Sequence, residues 1–498
     1  MIKSWVLLVL LGLSGVACGH LSSEKESAVA KSPVGKSLVA ATLPGQAVMQ
    51  GVSGKDWVRI NVLRTSDQSL NYSYNLAGIT SADSPSSGTA AIRGIVPSEE
   101  VLLRPLRSHS WAGSSFIIDE FQINKLRQNQ EYEFFIRAAS GELIDQRTFQ
   151  TILANAEGDS FAVVSCSDDR YPEQKEMWES LSRQAPEWIL AIGDNSYADS
   201  ERKKGEKYVS PEVVWRRYAE TRNRLQIFRE KKLIPMVALW DDHDFGMNNG
   251  GRDYPFRSEV KKVFQAFYPQ ADQGEGFQVG PGVSSLWKIG PHSFYLLDAR
   301  SYRSEGGPSP ACLKNRTHPL CKDQSIEVPK EDIHLGSEQE IWLLNALKED
   351  QNSQLWLAKG DQWLGTYQPF ESFDARHPKS FSRTMKMIKS AGKQVVLLSG
   401  DRHSSEVTRV PSQLLGYETY EIVSSPIHAK VFPSNWIDFP NPDQVAGTAE
   451  AFNFTVISSR RSAVREPWNL KILNTKKGDQ KSFSLDLVIS PKTKTKKN

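Results

Sequence analysis

The sequence predicts an α/β domain preceded by a smaller all-β domain, and three observations carry this. Up to about residue 155, short β-branched and aromatic segments follow one another between turn residues, with no sustained helical period. From about residue 159, apolar runs of four or five residues alternate with longer amphipathic segments, the pattern of a layered α/β domain with a buried sheet. Most of those apolar runs end in aspartate.

The chain has 498 residues, more than one ordinary core accommodates, so two domains with flexible ends are expected. A hydrophobic share of 39% and a charged share of 24% describe a soluble globular protein. The formal net charge of +3 argues against a nucleic-acid partner, which selects a clustered basic face. Residues 1–18 read as a targeting segment: Lys3, then the apolar run WVLLVLLGL (5–13), then SGVAC ending at Cys18. This resembles a bacterial lipoprotein signal with Cys18 as the lipidated residue, although Gly15 stands where such signals usually carry Leu. The alternative is cleavage after Ala17 and a free protein. No later run is long and apolar enough to span a bilayer, so an anchor at Cys18 makes the membrane a partner through lipid only. The implied location is the periplasm or the outer membrane, and a monomer is expected. Residues 19–40 read as a solvated tether and 491–498 as a frayed basic tail.

Within residues 41–155, LNYSYNLAGI (70–79), SSFIIDEFQI (114–123) and EYEFFIRAA (131–139) read as strands. The last part of this region resembles the closing strands of a fibronectin type III or Ig-like sandwich, with Leu126 and Tyr132 at the spacing of its tyrosine corner. Gln128 and Gln130 replace the Pro and Thr usual between them. Within residues 156–490 the apolar runs are FAVV (161–164), WILAI (188–192), PMVAL (235–239), SFYLL (293–297), LWLAK (355–359) and VVLLS (395–399). EQKEMWESLSRQ (173–184) and GSEQEIWLLNALKED (336–350) read as helices, the second with an apolar face of Ile341, Trp342, Leu344 and Leu347.

Five runs deliver polar residues of one type: SCSDD, GDNSYAD, WDDHD, GDQ and GDRHSS. A single strand-end aspartate is usually a turn former or helix cap. Five imply convergence, because strand ends in open α/β sheets meet at one crevice. Carboxylates crowded there repel one another, and the loops supply only Arg170 and Arg402 to offset them. Metal cations are the simpler counter-charge. Of the four cysteines, Cys18 is taken by the leader, while Cys312 and Cys321 bracket a short polar loop and suit a local disulfide in an oxidising compartment. Cys166 is left unpaired.

SCSDDR, GDNSYAD, WDDHDFGMNN, LDARSYR and SGDRHSS occur in this order over about 161–425. As an ordered set they resemble the PhoD-like (alkaline phosphatase D) branch of the calcineurin-like metallophosphoesterases. The resemblance implies a four-layer α/β/β/α sandwich and hydrolysis of phosphoric esters at a centre of two or more metals. Carried over, Asp194 matches the bridging aspartate, and Tyr197 and Cys166 match ligands of a ferric-type metal. Asp242 matches a ligand of the second metal, and Asp401 with His403 match the paired ligands usually seen as GHxH. His243 matches the histidine that protonates the leaving group. The superfamily's first motif is usually Asp-x-His, whereas this chain has DDR, so Asp168 and Cys166 both stand as candidates. Asp361 is a further candidate ligand, and Asn248 and Asn249 face phosphate or form a turn. Arg300 either binds a phosphate oxygen or pairs with Asp298, since its planar fork suits both.

Tyrosinate and thiolate donors favour Fe(III), and carboxylates favour Ca²⁺ or Mn²⁺ beside it, with Zn²⁺ a third option. The implied reaction is in-line attack by hydroxide held between the metals. The same centre also suits phosphodiesters, including phospholipids or cell-wall polymers. A non-catalytic surface binding module is the reading from another class, and it predicts degenerate metal loops.

Overall fold

Eight strands and no helix occupy the described residues between 45 and 152: β1 (Ala47–Ser53), β2 (Trp57–Thr65), β3 (Leu70–Leu76), β4 (Val101–Leu103), β5 (Arg107–Ser110), β6 (Phe116–Asn124), β7 (Glu131–Ala138) and β8 (Leu143–Gln150). They form two four-stranded sheets, in the orders β1-β2-β6-β5 and β4-β3-β7-β8. Alternate residues point inward, and Val58, Ile60, Val62, Phe121, Ile123, Phe134 and Ile136 share one core. Tyr132 is buried, and its hydroxyl accepts the backbone N–H of Arg127 at 2.7 Å. That bond back to the preceding loop is what a tyrosine corner makes.

The computed structural model describes residues 45–77, 100–152, 159–270, 274–322, 327–461 and 463–491. The expected leader with Cys18, the tether 19–40 and nearly all of the basic tail lie outside them.

Beyond residue 159 the chain alternates strands and helices. In order they are β9 (Asp159–Val164), α1 (Gln174–Arg183), β10 (Trp188–Ile192), α2 (Pro211–Arg224), β11 (Met236–Leu239), α3 (Asp242–Phe245) and α4 (Arg257–Phe267). There follow β12 (Phe277–Val279), β13 (Ser285–Ile289), β14 (His292–Leu296), α5 (Pro310–Lys314), α6 (Ser337–Glu349), β15 (Gln354–Ala358), α7 (Phe373–Arg376), α8 (Pro378–Ser390) and β16 (Val395–Ser399). The last are β17 (Ser405–Val410), α9 (Ser412–Leu415), β18 (Thr419–Val423), α10 (Pro433–Asp438), β19 (Gln444–Thr448), β20 (Asn453–Arg460), β21 (Trp468–Lys476) and β22 (Gln480–Ile489).

These strands make a six-stranded sheet, β11-β10-β9-β20-β21-β22, and an eight-stranded one, β12-β13-β14-β15-β16-β18-β17-β19. The aspartate-tipped runs divide between them: β9, β10 and β11 are parallel in the first, and β14, β15 and β16 are parallel in the second. The period of two explains how both faces are used. Phe161, Val163, Trp188 and Leu190 share a core with Phe294, Trp356 and Leu398 of the other sheet. The edge of Phe161 meets Trp356 at 5.0 Å between centroids. The intervening residues, Ala162, Val164, Ile189, Ala191, Met236 and Ala238, pack with Trp178, Trp215, Tyr218, Val263 and Phe264 of α1, α2 and α4. Full burial of each larger aliphatic or phenylalanine side chain among them contributes about 1.5–3 kcal/mol. On the eight-stranded sheet, Leu343, Leu347, Phe381, Met385 and Ile388 of α6 and α8 belong to its core.

The face of α6 differs from expectation. Leu343, Ala346 and Leu347 are buried, whereas Ile341 is 60% exposed. Gln339 sets this rotation: its amide donates to the carbonyls of Asp298 and Leu335, and its oxygen accepts the N–H of Asp298. A polar anchor outweighs one isoleucine because its buried partners have no other donor or acceptor.

The β domain is fastened to this body. Arg222 on α2 donates to the side-chain oxygen of Asn61 and to the carbonyl of Phe267, and Asn61 donates to the same carbonyl. Cys312 and Cys321 form a disulfide, on which Phe439 packs. Among the described residues no helix is long and apolar enough to cross a membrane.

Candidate metal centre

The strand-end loops are tight, and their backbone shows it. Cys166 follows β9, Asp194 follows β10, and Asp401 and His403 follow β16; all four have positive φ, between 51° and 63°. This left-handed conformation is uncommon for residues with a side chain and collects at sites where the surroundings impose it. Close packing of the loops is the cause. A Cβ on Gly193 would sit 2.6 Å from Cβ of Asp241, and one on Gly360 would sit 2.3 Å from its Cγ. The glycine preceding Asp194 and the one preceding Asp361 therefore let three loops close around one aspartate.

Three groups of donor atoms result, each with all members within 4.8 Å of one another. They are Cys166, Asp194 and His403; Asp194, Asp242 and His243; and Asp194, Asp241, Asp242 and Asp401. Asp194 belongs to all three. The loops that meet here come from both sheets: β9, β10 and β11 on one side, β16 on the other.

Each donor is held by its neighbours. The Cys166 sulfur lies 3.5 Å from Asp194 and accepts from the Ser425 hydroxyl at 3.1 Å. The same Ser425 oxygen accepts the N–H of His403 at 2.9 Å. Tyr197 Oη lies 3.2 Å from His403 Nε2, and the His403 Nδ1 faces the Lys430 carbonyl. Asp242 accepts the N–H of His243 at 2.8 Å and that of Asn249 at 2.6 Å. On α3, Asp241 and Asp244 form a reciprocal capping box, which holds the short helix carrying Asp242 and His243.

Electrostatics follow from this crowding. Burial raises the Asp194 carboxyl well above the usual range, and Asp242, Cys166 and Asp241 add to the rise against His243. Burial, with Glu371 and Asp242, pushes Asp401 up to about 7. The Cys166 thiol is pushed up to about 12, chiefly by burial, and Tyr197 is raised for the same reason. Burial opposes charge on His243, but the carboxylates of Asp242, Asp194 and Asp199 prevail and raise it. Asp242 is the exception: burial opposes its charge, but His243 and Arg300 hold its carboxyl below the usual range. The donor set is thus a buried concentration of acidic groups that a cation would stabilise in their charged forms. Sulfur, phenol, imidazole and carboxylate together fit transition-metal and harder cations. Clusters of these residues are able to bind metal ions.

Three expected site residues stand outside the donor groups, and a fourth stands only at the cleft wall. Asp168 receives two hydrogen bonds from the Arg170 guanidinium, so of the two candidates in SCSDDR only Cys166 joins a donor group. Asp361 is buried between Lys359 and His334, at 2.7 and 2.8 Å. Arg300 is fully buried and spans Asp241 and Glu371, with its N–H donating to Asp298. It is a structural arginine rather than a phosphate ligand, because both carboxylates hold its fork inside the protein. Asn248 is exposed, its N–H on Asp199, although it lines the cleft.

Several participants escaped the sequence reading. Asp199, within GDNSYAD, carries no strand-end position but places Oδ1 2.7 Å from His243 Nδ1. Glu371 and Ser425 had no local signal; Glu371 meets Arg300 71 residues away in sequence, and Ser425 meets Cys166 259 residues away. Asp241 was visible in WDDHD, but only the fold shows it behind Asp242 with its Oδ2 buried and unpartnered.

The donors open into a cleft of about 830 Å³ lined by Asp242, His243, Asp401 and His403, with Arg303, Phe370, Arg402 and Phe432 among its walls. Residues 161–460 match the family model of the PhoD-like phosphatases. The chain belongs to this family. The match spans β9 to β20 and so includes every loop that supplies a donor group. A PhoD-like phosphatase is a hydrolase of phosphoesters, and the clustered aspartates and histidines accord with a metal-dependent one. No curated protein matches the chain.

Proposed function

We propose that this PhoD-like phosphatase hydrolyses phosphoric esters at the centre built round Asp194, with His243 as general acid. The single observation that carries the reading is the sharing of Asp194 by three donor groups drawn from four strand-end loops. One buried carboxylate common to several groups suits a bridge between two cations. In this reading Cys166, Asp194, Tyr197 and His403 hold one cation, for which the thiolate and phenolate donors favour Fe(III). Asp194, Asp242 and Asp401 hold a second, of the Ca²⁺ or Mn²⁺ kind. Bound cations would supply Lewis-acid polarisation of the phosphoryl group and a water of lowered pKa.

The protein's own groups do the rest. His243 sits at the cleft wall, where its carboxylate neighbours raise its pKa against burial, and in this reading it delivers a proton to the departing ester oxygen. Asp199 fixes the imidazole through Nδ1, and the Tyr197 ring stacks on it at 4.2 Å between centroids. The opposite ring nitrogen is thereby the one left to face substrate. Helices packed on both sheets support a four-layer α/β/β/α arrangement, and the Tyr132 hydroxyl bond supports a fibronectin-like reading of the β domain. The disulfide supports a location outside the cytoplasm. In the same reading the enzyme is a monomer tethered through Cys18.

The test is hydrolysis of p-nitrophenyl phosphate and bis-p-nitrophenyl phosphate by the full chain, before and after chelation. Activity lost to chelator and restored by iron with calcium is the expected result. An inert protein under every metal condition would overturn it. The relative rates on the two esters decide between monoester and diester preference, and a cleft of this volume has room for a diester.

A further inference from the structure

With Arg300 enclosed, the anionic oxygens of a substrate need another partner, and the cleft walls hold one. Four cationic side chains line it: Lys207, Arg303, Arg376 and Arg402. Arg303 and Arg402 combine a position at the cleft with an N–H that no protein acceptor meets. Arg303 is 5% exposed; its Nη2 bonds to Glu371, and its Nη1 is buried without an acceptor. Arg402 stands between Asp401 and His403 in the chain, and its Nε is likewise buried without an acceptor. Its guanidinium lies 4.6 Å over the Phe370 ring.

We infer that Arg303 and Arg402 are the groups that bind the anionic oxygens of the phosphoryl group. The assignment rests on the hydrolase reading above. A buried N–H without an acceptor is costly, and native structures rarely keep one without reason. The planar guanidinium fork matches phosphate, and a charge-assisted bond to it is stronger than one between neutral groups. Preorganisation is built in. Glu371 holds Arg303 while also holding Arg300, which grips Asp241 of the donor cluster. Phe370 supports Arg402 through its ring face, so neither fork must be ordered when substrate arrives.

The experiment uses the full-length, metal-loaded chain and inorganic phosphate as the probe. Arg402→Ala is expected to weaken phosphate inhibition about tenfold or more and to lower kcat/KM about 10²-fold, the scale of losing one oxyanion donor. Millimolar guanidinium restores part of that rate, and equal potassium chloride does not. Arg303→Lys, which keeps a cation for Glu371 but not the fork, is expected to weaken phosphate inhibition with metal content unchanged. Phosphate inhibition within twofold of wild type in both variants overturns the assignment. So does a loss in Arg402→Ala that guanidinium fails to restore and that metal loss accompanies. A wild-type chain that neither cleaves phosphate esters nor is inhibited by phosphate sinks the hydrolase reading instead, a separate result.

Discussion

His243 Nδ1 lies 2.7 Å from Oδ1 of Asp199, a carboxylate seven residues from the strand β10 whose end also delivers Asp194. The pair fixes which ring nitrogen faces the cleft. His243→Ala is therefore expected to lower kcat on alkyl phosphates by about 10²–10⁴-fold. Aryl phosphates, whose leaving groups need less protonation, should lose far less. Asp199→Asn should reduce kcat on alkyl esters by a smaller factor with KM little changed. Steady-state kinetics on matched alkyl and aryl esters measure this, and equal losses on both classes would argue against a general acid.

Arg300 joins Asp241 to Glu371 in a site where all three groups are buried. Removing one partner of such a network leaves charge without compensation, at a cost of about 3–5 kcal/mol. Arg300→Met should show that loss in urea unfolding. An arginine that served substrate alone would leave stability intact and change only activity.

Asp169 is buried beneath Arg217 and Arg224, which it meets at 2.6 and 2.8 Å. Burial opposes its charge, but the two guanidinium groups more than offset this and hold its pKa below the usual carboxylate value. For a depressed carboxylate, the stabilisation is present above the unfolded pKa of about 3.9 and is lost as pH falls through the lower folded value. Asp169→Asn should thus destabilise by about 3 kcal/mol at pH 7, since Arg217 loses a buried partner. The difference from wild type should shrink below about pH 4. A penalty constant down to pH 2 would contradict the assignment.

The disulfide between Cys312 and Cys321 closes a loop with a sequence separation of 9. Constraint of so short a loop contributes about 2–3 kcal/mol. Reduction, or the double replacement by serine, should lower Tm and loosen the segment on which Phe439 and His318 pack, as read by hydrogen exchange. An unchanged Tm would mean that the bridge adds nothing to the folded state.

Much of the architecture was legible because strand periodicity and strand-end chemistry are local. FAVV, WILAI and VVLLS are buried strands, and the aspartates after them meet because parallel strands point the same way. The same logic misled at LWLAK: Asp361 ends a strand of the same kind, yet Lys359 and His334 claim it. Arg300 shows the same limit, since Glu371 lies 71 residues away in sequence and nothing near LDARSYR announces it. Asp168 was claimed by the arginine two positions on, a contact available to any DxR stretch. What the sequence withheld was therefore the set of ion pairs, near and far in the chain, that decides which charged residues remain free for chemistry.

In the proposed reaction Asp194 would help to hold the cations that hydrolysis requires. Elemental analysis of the purified full chain beside Asp194→Ala, with phosphatase rates on the same samples, measures it directly. About two metals per wild-type chain are expected, and in the variant the loss of at least one together with a rate fall of about 10³-fold or more. A variant that keeps wild-type metal and rate, or a wild-type enzyme that cleaves phosphate esters with no metal at all, would contradict it.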